Sequence, residues 1–293
     1  MSQEEIAHGT RCLTERGKGE NLKITGETTV KYMTFPASCS FCCVANMLEH
    51  FRVDVSDSDV VIGADLPYRF RFDSEEDRFS TGAMLQLPED YNRFLQKYGI
   101  RFVDSVVKKE DVLDFLLPHA PCMIGLTADF GKHAMVFTEK TAEGYHFLNP
   151  HRENDGQADQ VVLKESEVLE RTSNINHIGY LEEGIADTQG EIDHTETVVT
   201  DYRLRFLAFC QTKQTAADVA AWRDRLLRPV ALDMPVMMSI VGETTLAGKL
   251  AVLQSQIFQI LRMDACVPSD TVDLDLFEEV IAEYLVLVKS RSR

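Results

Sequence analysis

Apolar and polar positions change rhythm several times along this chain, and each rhythm predicts an element. From Cys39, the positions Cys42, Cys43, Ala45, Met47, Leu48 and Phe51 line one face of a helix. An extended run over Thr28 to Phe35 leads into it and is broken by Pro36 and Ser38. Ser56 is placed to cap a short helix over Asp57 to Ile62. Leu66 to Phe72 alternates as a strand or extended loop, and Asp73 to Phe79 is a charged loop. A helix over Met84 to Tyr98 ends at Gly99, a residue suited to the left-handed position that closes helices. A short strand, Ile100 to Asp104, and a helix over Lys109 to Leu117, stopped by Pro118, complete this stretch.

The period then becomes that of strands. Cys122 to Leu126, His133 to Thr138 and Tyr145 to Asn149 are extended, the last two separated by the turn signal Ala142-Glu143-Gly144. Pro150 ends the third, and a polar loop from His151 to Asp159 leads to a strand at Gln160 to Leu163. A short helix over Ser166 to Arg171 precedes a last strand, His177 to Leu181. Helices followed by an antiparallel sheet predict an α+β fold. The polar, acidic stretch from Glu182 to Glu196 predicts a linker. Beyond it the pattern is mostly helical. Thr215 caps Ala216 to Arg228, which Pro229 should stop; Ser239 to Met263 and Val272 to Val288 carry long apolar stripes; Tyr202 to Phe209 fits helix and strand equally. The expected organisation is a polar N-terminal arm at 1–27, an α+β domain at 28–185 and a helical C-terminal domain at 195–293.

Composition narrows the function classes. With 44% hydrophobic and 26% charged residues the chain can bury a sizeable core. A net charge of −17 without a dense Lys/Arg run argues against nucleic acid as a partner. No stretch approaches the length of apolar sequence that a membrane span needs. Seven irregularly spaced cysteines and an acidic start without a secretory pattern point to free thiols in the cytoplasm.

Cys39 is the centre of the candidate chemistry. A thiol at a strand-to-helix junction lies where the first N–H groups of the helix lack partners, and their partial positive charge favours thiolate. That place suits a nucleophile, a Cys39/Cys42 redox pair, a metal ligand or a plain buried cysteine. A zinc site needs a second Cys or His pair, and none follows. No metal or organic cofactor is therefore expected. His133 starts one strand of the hairpin and Asn149 ends the other, so antiparallel pairing brings them together. A cysteine attacking carbonyl carbon needs a base and a group to orient that base; Cys39, His133 and Asn149 supply those roles. His119, His146 and His151 are alternate bases and Asp155 an alternate orienter. Cys12, Cys122, Cys210 and Cys266 read as small buried hydrophobes. The stripes including Leu250, Leu253, Ile257 and Leu261 are core or the face of a homodimer.

These residues resemble the papain-like cysteine peptidase superfamily, in the branch of the bacteriocin-processing peptidases, phytochelatin synthase and the butirosin-pathway acyltransferase. Cys39 followed by Cys42, Cys43, Val44, Ala45, Met47 and Leu48 is similar to that branch's nucleophile helix. The segments Pro121 to Gly125, His133 to Phe137 and Tyr145 to Pro150 are similar to its core strands. The resemblance spans roughly residues 28 to 182. It implies a papain-like fold, a Cys39-His133-Asn149 triad, and a peptide, amide or acyl-thioester substrate. Two positions depart from the pattern. Lys31, Tyr32, Met33 and Thr34 stand where the superfamily carries an oxyanion-binding glutamine, and Ser40 replaces a glycine. The expected oxyanion donors are therefore main-chain N–H groups near Cys39, or Thr34 or Ser38. Those departures favour a specialised amide hydrolase or acyltransferase over a general peptidase. A Cys39/Cys42 thiol–disulfide protein and a non-catalytic papain-like binding protein are the alternatives.

Overall fold

The computed structural model describes residues 30–128, 131–151, 158–186 and 194–291. The expected arm at 1–27 and Asp155 lie outside them. Thr28 and Thr29 lie outside the described residues; from Val30 the chain is irregular rather than a strand, with side chains binding main-chain groups of Lys31 and Thr34 and the Met33 N–H donating to the Pro150 carbonyl at 3.0 Å. Asn46 accepts from the Lys31 N–H (2.9 Å) and donates to the Lys31 carbonyl (3.0 Å), as a neighbouring strand would. Helix α1, Cys39–Leu48, follows, then α2, Asp57–Gly63, closed by a capping box between Ser56 and Asp59.

The stretch expected as a charged loop is the turn of a hairpin, β1 (Phe70–Asp73) and β2 (Arg78–Thr81). Helix α3 runs only over Pro88–Leu95. Pro88 takes the first helical position, where its missing N–H is harmless, and this sets the start later than the apolar pattern suggested. The Asp90 carboxylate is paired with the Arg71 guanidinium at 2.9 and 3.0 Å.

The main sheet is antiparallel throughout. It comprises β3 (Ile100–Lys108), β4 (Cys122–Ala128), β5 (Gly131–Lys140), β6 (Tyr145–Leu148), β7 (Gln160–Leu163) and β8 (Ile175–Glu183), in the order β3-β8-β4-β5-β6-β7. Helices α4, Val112–Leu116, and α5, Glu165–Arg171, cover one face, over Ile124, Leu126, Met135, Phe137 and Phe147. Helix α1 lies on the other face, against β5, where Val136 and Leu148 join its core. Helices and an antiparallel sheet in this arrangement make an α+β fold.

The C-terminal segment comprises α6 (Thr195–Cys210), α7 (Ala216–Trp222), α8 (Met234–Ile240), α9 (Thr244–Ile260) and α10 (Leu274–Arg291). A two-residue ribbon, β9 (Gln214–Thr215) with β10 (Ala265–Cys266), joins them. Tyr202 to Phe209 is helical, within α6. Pro229 does not stop the helical path. Two π turns, Arg223–Leu227 and Pro229–Asp233, carry the chain through it, because a wider turn moves the carbonyls away from the proline ring. The apolar stretch from Ser239 to Met263 is broken at Gly242, whose φ of 80° takes the chain from α8 into α9.

These helices share one hydrophobic core with the first half of the chain. Tyr202 packs on Phe70 and Phe79, with ring centroids 5.0 and 5.2 Å apart, and Phe206 stacks on Phe277 at 4.2 Å. The Tyr284 hydroxyl donates to the Pro67 carbonyl at 3.1 Å. Truncating Phe206 to Ala is expected to cost about 3–5 kcal/mol in urea unfolding. Because the core is continuous, Trp222 fluorescence and far-ultraviolet circular dichroism should report one coincident transition in that variant and in the wild type. Two separated transitions would contradict a shared core.

Candidate active site

Cys39 opens α1, so its own N–H and that of Ser40 have no partner within the helix. Both favour a negative charge on the Cys39 sulfur, as does a third, the Ala134 N–H on β5. The first turn of α1 holds no acidic side chain to offset the helix dipole. These groups favour thiolate, yet burial outweighs them and holds the Cys39 thiol above its ordinary value. The helix start favours thiolate as expected, but burial is the larger cause here.

His133 is one residue from the main chain that Cys39 touches. It is 6% exposed and hydrogen-bonded to the Asn149 side chain, itself 3% exposed. The sheet register explains their meeting. Val136 pairs with Leu148, so one step further Asn149 falls beside Met135, and His133 is its diagonal neighbour on the same face. The His151 ring lies 5.4 Å from that of His133. Asn149 is fixed in turn. Its amide donates to the Ala158 carbonyl at 3.2 Å, its oxygen accepts from the His151 N–H at 3.2 Å, and its own N–H donates to the Asp159 carbonyl at 2.8 Å. Burial and the neighbouring His151 push His133 down to about 4, against the Asn149 hydrogen bond, which pulls it up. By strand alternation Ala134 faces α1, whereas His133 shares the opposite face with Met135. The link between sulfur and imidazole thus runs through two consecutive residues of β5, His133 and Ala134.

The other sequence candidates are placed elsewhere. Thr34 and Ser38 do not offer their hydroxyls to the site: Thr34 Oγ1 donates to Asp57 Oδ1 at 2.6 Å, and Ser38 Oγ lies 2.5 Å from Asp57 Oδ2. A hydroxyl has one proton, so an anion beside Cys39 falls to main-chain N–H groups. His146 bonds Thr141 and His119 stacks on Phe115, both away from Cys39. Cys42 is fully buried and its thiol donates to the Lys31 carbonyl at 3.1 Å; Cys43 is in the core. Cys122 and Cys210 are buried as expected and Cys266 is half-buried, all free thiols. Among the described residues no group of three His, Cys, Asp or Glu side chains could hold a metal ion, and no helix is long and apolar enough to cross a membrane.

Three residues near Cys39 escaped sequence reasoning. Asp57 looked like part of a helix start. Asn46 was a polar residue inside an apolar run, a signal that was legible but unassigned. Tyr91, on α3, is buried against Phe41 and Phe102.

No family model matches this sequence, and no curated protein does. Among solved structures, the chain is similar to a double glycine motif protease from an AMS/PCAT transporter, in complex with the leader peptide. Identity is 14% and the TM-score 0.35, over 54% of this chain and 95% of that one. At that distance the likeness adds nothing to the reading of the site.

The protonation states lead to a pH prediction. The folded His133 value of about 4 lies below the 6.5 of an unperturbed imidazole, so between those values the native state binds fewer protons than the unfolded chain. Stability conferred by neutral His133 is complete above pH 6.5 and declines as pH falls toward 4. Urea unfolding of wild type and His133→Asn should diverge across that window, with the steeper loss in the wild type. Alkylation of Cys39 by chloroacetamide should rise with pH with a midpoint above 9.0. A midpoint below 8 would show a thiolate in place of the neutral thiol that burial favours.

Proposed function

We propose that this protein is a cysteine-nucleophile enzyme that attacks an amide or thioester carbonyl and passes through an acyl-enzyme. Cys39 supplies the sulfur, His133 takes and returns the proton, and Asn149 orients the imidazole. One observation carries the reading: a helix-start thiol meets β5 at Ala134, the residue next to His133, whose ring interacts with the Asn149 side chain. The order and spacing of these residues, which resemble the papain-like superfamily, support the same roles.

The electrostatics set the style of catalysis. With the thiol raised and the imidazole lowered, both groups start neutral at pH 7. The proton therefore leaves sulfur as the sulfur–carbon bond forms, with His133 as general base. The leaving amine or thiol takes that proton from His133 as the tetrahedral adduct collapses. The oxyanion is met by the N–H groups of Cys39 and Ser40. Water or an amine then accepts the acyl group. No site favours one acceptor, so hydrolase and acyltransferase stand together.

Burial of Cys42 and its bond to Lys31 count against the thiol–disulfide alternative, since a resolving cysteine must be reachable. The neutral thiol–imidazole pair favours a second reading, a non-catalytic binding protein. A simple acyl donor separates them. In p-nitrophenyl acetate, wild type should acquire one acetyl group on Cys39, mapped by peptide mass, with release of p-nitrophenolate. Cys39→Ala should abolish it, His133→Ala should slow it about 100-fold or more, and Cys42→Ser should spare it. Equal release by wild type and Cys39→Ala would leave the binding reading in place.

A further inference from the structure

The turn that delivers Cys39 is bound to a single buried carboxylate. Asp57, 1% exposed, stands at the first position of α2, and both of its oxygens are doubly engaged. Oδ2 accepts from the Thr34 N–H at 2.8 Å and lies 2.5 Å from the Ser38 hydroxyl, which also has the Phe35 carbonyl at 2.8 Å. Oδ1 accepts from the Thr34 hydroxyl at 2.6 Å and the Ser58 N–H at 2.9 Å. Three of these four donors belong to the segment just before Cys39. Within it, Ala37 has a φ of 64°, a left-handed conformation that costs an L-residue about 1 kcal/mol or more. Ser38, the next residue, is the N-cap of α1, and its side chain makes no capping bond to the helix. It binds Asp57 instead.

We propose that Asp57 is a positioning residue for acyl transfer at Cys39: by clamping Thr34 and Ser38 it holds the strained turn so that the N–H groups of Cys39 and Ser40 converge on one anion. This inference rests on the reading of Cys39 as nucleophile. Its chemical logic is substitution of support. Main-chain donors at a helix start are only as well aimed as the turn that carries them. A carboxylate does this better than a neutral side chain because it only accepts, and all four groups facing it are donors. Asparagine would turn an NH2 toward two of them and release part of the turn. The clamp also turns the Thr34 and Ser38 hydroxyls away from the site.

Two reactions at the same sulfur isolate the role. Acylation by p-nitrophenyl acetate forms the sulfur–carbonyl carbon bond, breaks the carbon–aryl oxygen bond and passes through an oxyanion. The thiol proton goes to His133 and p-nitrophenolate leaves. Alkylation by chloroacetamide forms a sulfur–carbon bond, expels chloride and develops no oxyanion. Both rates are measured at Cys39 by peptide mass mapping in the full chain, with urea unfolding to verify that each variant is folded. Asp57→Asn should lower the ratio of acylation to alkylation about tenfold or more, since misplacement of a catalytic group by about 1 Å costs about that or more. Thr34→Val, which removes one bond of the clamp, should lower the ratio in the same direction and by less, and it decides the matter if Asp57→Asn does not fold. An unchanged ratio in a folded variant, or a parallel fall of both rates, overturns the proposal. Wild-type Cys39 that acylates no faster than the half-buried Cys266 overturns the nucleophile reading itself, and this inference with it.

Discussion

Helix α1 has no face for solvent. Ser40 through Leu48 are all buried, so the helix must be enclosed on every side. The sheet closes one side at β5, α2 lies against another, and the core that α1 joins extends into the C-terminal helices. Enclosure makes each polar atom on α1 a demand for a partner. Asn46 answers by binding both main-chain groups of Lys31, and Cys42 by donating to the Lys31 carbonyl. The chain before α1 is thus organised by the helix after it. Solvent reaches α1 only at its first residue, Cys39.

That enclosure also sets the chemistry. The features that should ionise a thiol are present: a helix start, three N–H groups, no acidic side chain in the first turn. Burial opposes them and prevails. The same burial lowers His133, with His151 adding to the effect. The outcome is a thiol and an imidazole that rest uncharged, and whose proton transfer belongs to the reaction rather than to the resting protein.

Much of this was legible in one dimension. The strands of the hairpin announced themselves by apolar runs and a Gly144 turn, and the pairing of His133 with Asn149 followed from antiparallel geometry alone, because register is fixed wherever one face is buried. The capping boxes at Ser56 and Thr215 were readable because a cap is a local contact between residues three apart. What misled was equally local. Pro229 reads as a helix stop by its ring and missing N–H, and two π turns absorb both. The short pieces around Pro88 and Gly242 each shifted an element boundary, since apolar periodicity continues through a break that only backbone geometry reveals.

Residue order determined which chemistry could be present: a thiol at a helix start, a strand histidine and an asparagine at the end of the paired strand. Tertiary structure decided how that chemistry is poised. Thr34 and Ser38, plausible donors by position, turn to Asp57, nineteen residues beyond Ser38. The C-terminal helices join the same hydrophobic core as α1. Both outcomes depend on what shares a buried volume, and hence on desolvation and on the pairing of every polar atom within it. Local sequence fixes neither quantity, because each is a property of neighbours that are distant along the chain.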